Sequence, residues 1–299
     1  MRFGLDKNHP LNGSYKGVMA TLITSDLNGV VKTYEEELGY KPVSKGKLPK
    51  VLTDIWQAKE LEAAPYILMV PESGVPVFLR FIEYKKAAKT HRSLGWFALE
   101  ICVQNAKSLY EKLSKGERFS PFAEPKALPF SNAIIPMQCV GPIGEILYLN
   151  EVRESLSDIA LPIASSEVDH LFISVLSSRD MEASLSFYEN TLGVRVNERH
   201  EIPYKTINRV YDLPLETQHK LATLGAPGQV TLEIDQAPEQ ARARPDVYEG
   251  IWMVSFTTET IDASIGPHKS LLDMPYNGAQ VQSLTGLDGE RFELIQMKD

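Results

Sequence analysis

His170, Glu233 and Glu293 are the residues of this 299-residue chain whose types and strand spacing could hold a metal ion. In the run VDHLFISV (168–175), Leu171, Ile173 and Val175 point to one side of a strand, which leaves His170, Phe172 and Ser174 on the other. Val230, Leu232 and Ile234 alternate in the same way and put Glu233 opposite them beside Thr231, while Phe292 and Leu294 do so for Glu293. If helices cover the apolar faces, the three polar groups converge on the open side. One imidazole and two carboxylates suit a divalent ion such as Fe, Mn, Ni, Co or Zn, with positions left for a substrate. Glu293 could then move protons as a catalytic base, and His219, with His200, is a further candidate acid or base. Each also has a bland reading, as a hydrogen-bonded His in a sheet interior or a solvated residue on a strand. Tyr204, Tyr211 and Tyr276 are rim or core phenols by the same reasoning, and Arg80, Glu100 and Tyr148 could form a polar pocket in the first half.

The elements that must position these groups are repeated. Residues 26–39 (DLNGVVKTYEEELG) and 180–193 (DMEASLSFYENTLG) match at Asp26/Asp180, Tyr34/Tyr188, Glu35/Glu189, Leu38/Leu192 and Gly39/Gly193. Both read as amphipathic helices that begin at an aspartate cap and stop at a glycine. GPIGEILYL (141–149) and GLDGERFEL (286–294) form a second matched pair. The chain is therefore a duplicated unit of roughly 150 residues, with a seam in 153–167. Each half divides again into strand, helix and three strands. The predicted architecture is α+β: four βαβββ modules, paired into two curved mixed sheets with helices outside, as one domain over 1–155 and another over 165–299. The fourth helix is the weakest, being cut short by Gly266-Pro267.

Composition excludes several classes. Lys and Arg number 31 and Asp and Glu 39, a net charge of −8, which lacks the basic field that nucleic acid requires. No apolar stretch is long enough to span a bilayer, and Met1–Tyr15 has no apolar core of a signal peptide, so a cytoplasmic protein without membrane partners is expected. Cys102 and Cys139 lie in apolar runs and read as buried free thiols. GAPG (225–228) reads as a hairpin turn and ARARP (241–245) as a solvated linker between modules.

VDHLFISV (168–175), FYENTLG (187–193) and DGERFEL (288–294) resemble the vicinal oxygen chelate superfamily of glyoxalases, bleomycin resistance proteins and type I extradiol dioxygenases. The Tyr-x-x-x-Leu-Gly helix end marks that fold and not its chemistry. The resemblance implies ligands early in the first strand and late in the last strand of each module. Those spots hold Val18, Ala98, His170 and Ile251, and Arg80, Tyr148, Glu233 and Glu293. The first half then has no metal ligands, and the second holds the metal through His170, Glu233 and Glu293. An extradiol oxygenase needs two His, and none lies in 250–260. The resemblance thus favours a metal-dependent isomerase or lyase acting on a small oxygenated substrate, aromatic in one version, by Lewis-acid chelation. The alternatives are a metal-free small-molecule binding protein of the same fold and a ring-cleaving dioxygenase with altered ligands. A homodimer fits the same resemblance.

Overall fold

The computed structural model describes residues 17–88, 92–127, 132–154, 159–271 and 273–296. The first module runs β1 (Gly17–Thr24), α1 (Leu27–Leu38), β2 (Lys41–Lys47), α2 (Lys50–Ile55), β3 (Pro65–Val70) and β4 (Phe78–Glu83). The second runs β5 (Gly95–Val103), α3 (Ala106–Leu113), β6 (Ser120–Ala123), β7 (Ile134–Val140) and β8 (Ile146–Val152). The third has β9 (Val168–Ser178), α4 (Met181–Leu192), β10 (Arg195–Pro203), α5 (Lys205–Val210), β11 (Gln218–Gly225) and β12 (Leu232–Gln236). The fourth has β13 (Gly250–Thr258), β14 (His268–Ser270), β15 (Gln280–Thr285) and β16 (Arg291–Gln296). Asp26 and Asp180 cap α1 and α4 by accepting from the amides of Gly29 and Ala183, and Gly39 and Gly193 end them in the left-handed conformation. The duplication extends to the short helices α2 and α5, which sit at matching places in modules one and three.

The weak fourth helix does not form. Between β13 and β14, Asp262 accepts from both the amide and the hydroxyl of Ser264, which closes a turn, and Gly266-Pro267 ends the segment before a helix can propagate. No helix among the described residues is long and apolar enough to cross a membrane.

The strands pair differently from the expected one sheet per half. One eight-stranded sheet has the order β14-β15-β16-β13-β1-β4-β3-β2, and the other β10-β11-β12-β9-β5-β8-β7-β6. Each sheet therefore takes one module from each half, joined by the antiparallel pairs β1–β13 and β5–β9. These first strands are buried nearly end to end, so each must be a central strand, and the repeat alone does not say which edge meets which. β8 and β9, on either side of the 153–167 seam, belong to the same sheet. The chain crosses between sheets at 84–94 and 237–249, and the two crossings bridge each other at Ala88–Tyr248 and Ser93–Arg242. ARARP lies in the second crossing. Arg244 is not simply solvated there: it donates to Ser93 Oγ at 2.7 Å and to Tyr248 Oη at 2.9 Å.

The helix-bearing faces of both sheets share one core, in which Leu22, Phe81, Leu99, Ile101, Phe256 and Phe292 meet α1, α3 and α4. The matched motifs tie the modules of each half together through that core. Tyr34 on α1 donates to Glu145 at 2.6 Å, and Tyr188 on α4 donates to Glu290 at 2.7 Å. Each Glu folds back over the first glycine of its Gly-x-x-Gly-Glu turn, where a Cβ on Gly141 or Gly286 would collide with the carboxylate. The repeat that reveals the duplication is thus structural.

Burial pushes the Glu145 carboxyl up to about 7 from 4.5, against the pull of Tyr34 and two backbone amides. The folded chain then holds this proton more tightly than the unfolded one. The group's contribution is fully present below about 4.5 and is lost as pH rises to about 7. Between those limits wild type is expected to lose on the order of 2 kcal/mol relative to Glu145→Gln, which keeps an acceptor for Tyr34. Urea unfolding of both proteins across this range measures the difference; parallel stability curves would contradict it.

Candidate functional site

The outward, concave faces of the two sheets have opposite contents. In the sheet centred on β1 and β13, the face is filled. Arg80 on β4 and Glu293 on β16 reach across the two central strands to an ion pair of 3.3 Å, with 1% and 0% side-chain exposure. Glu293 Oε1 accepts from Trp56 Nε1 at 2.5 Å and Tyr276 Oη at 2.9 Å, and its Oε2 also accepts from Ser255 Oγ at 2.6 Å. Arg80 donates to Thr21 and Tyr276 and stacks over the Trp56 ring at 4.5 Å. Trp56 arrives from the end of α2, and Tyr276 from the segment before β15. A cleft of about 290 Å³ remains above this plug, between the start of α2 and Ser270–Tyr276.

In the sheet centred on β5 and β9, the same face is open. It holds a cavity of about 220 Å³ walled by Ile134, Leu161, Phe172, Ile202 and Leu221, with Glu100, Tyr148, Asn150, Tyr204 and Glu233 among its polar lining. Glu100 on β5 accepts from Asn150 Nδ2 at 2.6 Å. Glu233 on β12 accepts from Tyr204 Oη at 2.9 Å. Asp235 lies one step further along the same face of β12 and is fully buried. Burial drives all three carboxyls upward. Glu233's charge adds to the effect on Glu100 and Asp235, while Tyr204 opposes it on Glu233. The set therefore retains protons where free carboxylates would have lost them. At the mouth, His200 Nε2 lies 3.0 Å from Glu198.

His170, Glu233 and Glu293 are not brought together. Glu293 is in the other sheet, and its oxygens already accept four hydrogen bonds. His170 does not border the cavity. The pairing of β9 with β5 slips between Glu100/Ile173 and Ile101/Leu171, so Phe172 is an extra residue on β9. As a result Leu171 packs in the helix-side core and Ile173 against the cavity, whereas simple alternation puts them on one face. His170 Nδ1 lies 3.2 Å from Asp169 Oδ1 and 3.8 Å from Cys102 Sγ. Asp169 also accepts from Ser73 Oγ at 2.6 Å and from the amide and hydroxyl of Ser165 at 2.6 and 2.8 Å. Burial alone would push the His170 imidazole down, but its bond to Asp169, with Cys102 beside it, holds it up at about 9. The same contacts hold Asp169 far below the usual carboxylate range, despite its burial.

His219 also stands apart from the cavity. Its Nε2 meets Asn208 Oδ1 at 2.7 Å, and the Asn208 amide donates to the carbonyls of Leu215 and Thr217 at 3.0 Å each. Burial pushes this imidazole down, so it is neutral and ties α5 to β11. Arg80, too, is in a different sheet from Glu100 and Tyr148. Asn150, Asp235 and Trp56 were not marked out by the sequence; Asn150 and Asp235 lie two residues beyond Tyr148 and Glu233, so strand period was the available signal.

The divalent ion that the sequence resemblance implies needs at least three donors that meet. Among the described residues, the grouping of His, Cys, Asp or Glu donors that meets this test is Cys102, Asp169 and His170, whose ligand atoms lie within 4.8 Å of one another. It could hold an ion through one thiol, one imidazole and one carboxylate. Glu100, Glu233 and Asp235 do not form such a grouping, so the cavity's own residues do not fit the expected metal.

Residues 167–265 match the family model of the Glyoxalase/Bleomycin resistance protein/Dioxygenase superfamily. Glyoxalase I from Zea mays is similar over 95% of this chain and 92% of its own, with 18% identity and a TM-score of 0.64. A putative dioxygenase from Bacillus subtilis subsp. subtilis str. 168 is similar over 96% of this chain and 86% of its own, with 13% identity and a TM-score of 0.62. No curated protein matches the chain. The sequence match is confined to part of the second half, and the similarity of fold extends over nearly the whole chain.

Proposed function

We propose that this protein binds a small organic molecule on the concave face of the β5–β9 sheet, without a metal ion chelated there. The observation that carries this reading is the contrast between the two faces. A buried ion pair and two aromatic side chains plug one, while the other keeps an apolar-walled cavity with a few convergent polar groups, which is the usual make-up of a small-ligand site. The rings of Phe172, Tyr148 and Tyr204 suit an aromatic ligand. Glu233, hydrogen-bonded to Tyr204, is the group best placed to exchange a proton with it. The reading favours a binding or sequestration role, or proton-transfer chemistry, over oxygen insertion.

Leu221 on β11 lines the cavity and is 5% exposed. A screen of small organic compounds by thermal shift tests the reading. Compounds that raise the Tm of wild type are expected to leave Leu221→Trp unmoved, because the indole fills their site. Thr223→Phe, at a second lining position, checks that lost response does not come from misfolding of one variant. Equal shifts in all three proteins would place binding elsewhere. A stoichiometric ion that is lost in Glu233→Gln would contradict the metal-free reading.

A second reading has one observation in its favour, the Cys102–Asp169–His170 grouping. An ion there would join β5 to β9 outside the cavity, a structural role. Metal content that falls in Cys102→Ala, but not in Glu233→Gln, would identify it.

A further inference from the structure

The polar groups of the open cavity are unbalanced in one direction. Lys and Arg are absent from its lining among the described residues. Its titratable members are Glu100, Glu198, Glu233, His200, Tyr148 and Tyr204, and His200 is already against Glu198. Two donors are spent within the protein, while the hydroxyls of Tyr148 and Thr223 have no partner and can accept as well as donate. The Tyr204 hydroxyl is given to Glu233 and the Asn150 amide to Glu100. Every unpartnered polar atom of the lining can accept, and none carries a positive charge. Asn150, only 4% exposed, has an Oδ1 with no hydrogen-bond partner, which is a costly state unless a donor arrives from the cavity. Asp235 receives nothing from neutral donors either, its carboxyl facing that of Glu233. Two tyrosine rings, Tyr148 and Tyr204, stand with centroids 6.4 Å apart and offer negative faces to a cation.

Given that this cavity is the ligand site, we propose that its ligand is an organic amine bound as the ammonium, with an apolar or aromatic body. An ammonium brings three donors and a positive charge to a floor that has acceptors and carboxyls to receive them, and the body meets the aliphatic wall. A carboxylate or phosphate would meet Glu100 and Glu233 with no Lys or Arg to pair with, and is disfavoured on the same ground. The groups that face Glu233 are Glu100 from β5, Asp235 from its own strand, Tyr148 from β8, Tyr204 from the start of α5, and the Glu198–His200 pair from β10. With protons held on this carboxyl set in the empty cavity, ammonium binding releases a proton, so affinity rises with pH until the amine itself loses its charge.

Isothermal titration of three probes of similar shape at pH 7 tests this: 2-phenylethylamine, 2-phenylethanol and 3-phenylpropionate. The amine is expected to bind about tenfold or more tightly than the alcohol, with the carboxylate weakest, and its heat should vary with buffer ionisation enthalpy. Glu233→Gln and, independently, Glu100→Gln should narrow the amine's advantage over the alcohol. If the alcohol or the carboxylate binds as tightly as the amine, and Leu221→Trp abolishes that binding, the cavity stands and the amine assignment falls. If amine binding survives Leu221→Trp, the cavity reading itself fails. No binding by any of the three overturns the amine assignment as well.

Discussion

Replacing Arg80 with alanine is expected to destabilise the folded protein by about 3–5 kcal/mol, the range for removing one partner of a buried ion pair. The substitution leaves Glu293, at 0% exposure, without its counter-charge, although Trp56, Tyr276 and Ser255 still donate to it. It also removes the cation stacked on Trp56 and opens a void between α2 and the sheet. A double variant, Arg80→Met with Glu293→Met, should recover part of the loss, because it removes the stranded charge but leaves the donors of Trp56, Tyr276 and Ser255 without their acceptor. Urea unfolding of the three proteins decides the matter. A loss below about 1 kcal/mol for Arg80→Ala would mean that the plug is not a tightly coupled unit. A large loss that the double variant fails to relieve would mean that packing alone sets the cost.

His170→Ala is expected to cost about 3 kcal/mol, with the metal content of the purified protein unchanged. The imidazole is buried against Asp169, which keeps its bonds from Ser73 and Ser165 when His170 is lost, so the cost stays at the lower end for a buried pair. Because its imidazole is held at about 9 and Asp169 is held low, the pair is charged through the neutral range. Its contribution is fully present below about 6.5 and is lost as pH rises through about 9. Unfolding curves at pH 6 and pH 10 for wild type and His170→Ala should therefore converge at the higher pH. Curves that stay equally far apart, or an ion that leaves with the side chain, would contradict this account and favour a metal held at the Cys102–Asp169–His170 grouping.

Much of the architecture was legible because the modules repeat. Asp26 and Asp180 as caps, Gly39 and Gly193 as stops, and the Gly-x-x-Gly-Glu turns are local signals, and each has a local physical cause. The candidate site was harder to read for three reasons. The identity of the sheet partner is a long-range property: β5 meets β9 and β1 meets β13, and nothing in a strand's own alternation selects its neighbour. One extra residue at Phe172 separates Leu171 from Ile173, and a second register shift, between Ile101/Leu171 and Val103/Val168, falls at Asp169–His170 and defeats the alternation that grouped His170 with the cavity. Glu293, finally, does lie on a concave face, as strand period indicated, but its face is filled from outside the sheet by Trp56 and Tyr276, which belong to connecting segments with no strand pattern. Glu233 alone of the three lies on the open face, with Glu100 and Asn150 supplied by the other half of the chain.

The central claim is that the β5–β9 face receives a ligand, while the base of the other face is plugged by its own side chains. Crystals soaked with a cocktail of small aromatic and aliphatic fragments test it most directly. The account predicts density between Glu100, Tyr204, Leu221 and Glu233, with the Arg80–Glu293 pair undisturbed. Fragments bound against Trp56 and Tyr276 with that pair broken, and none on the β5–β9 face, would contradict it.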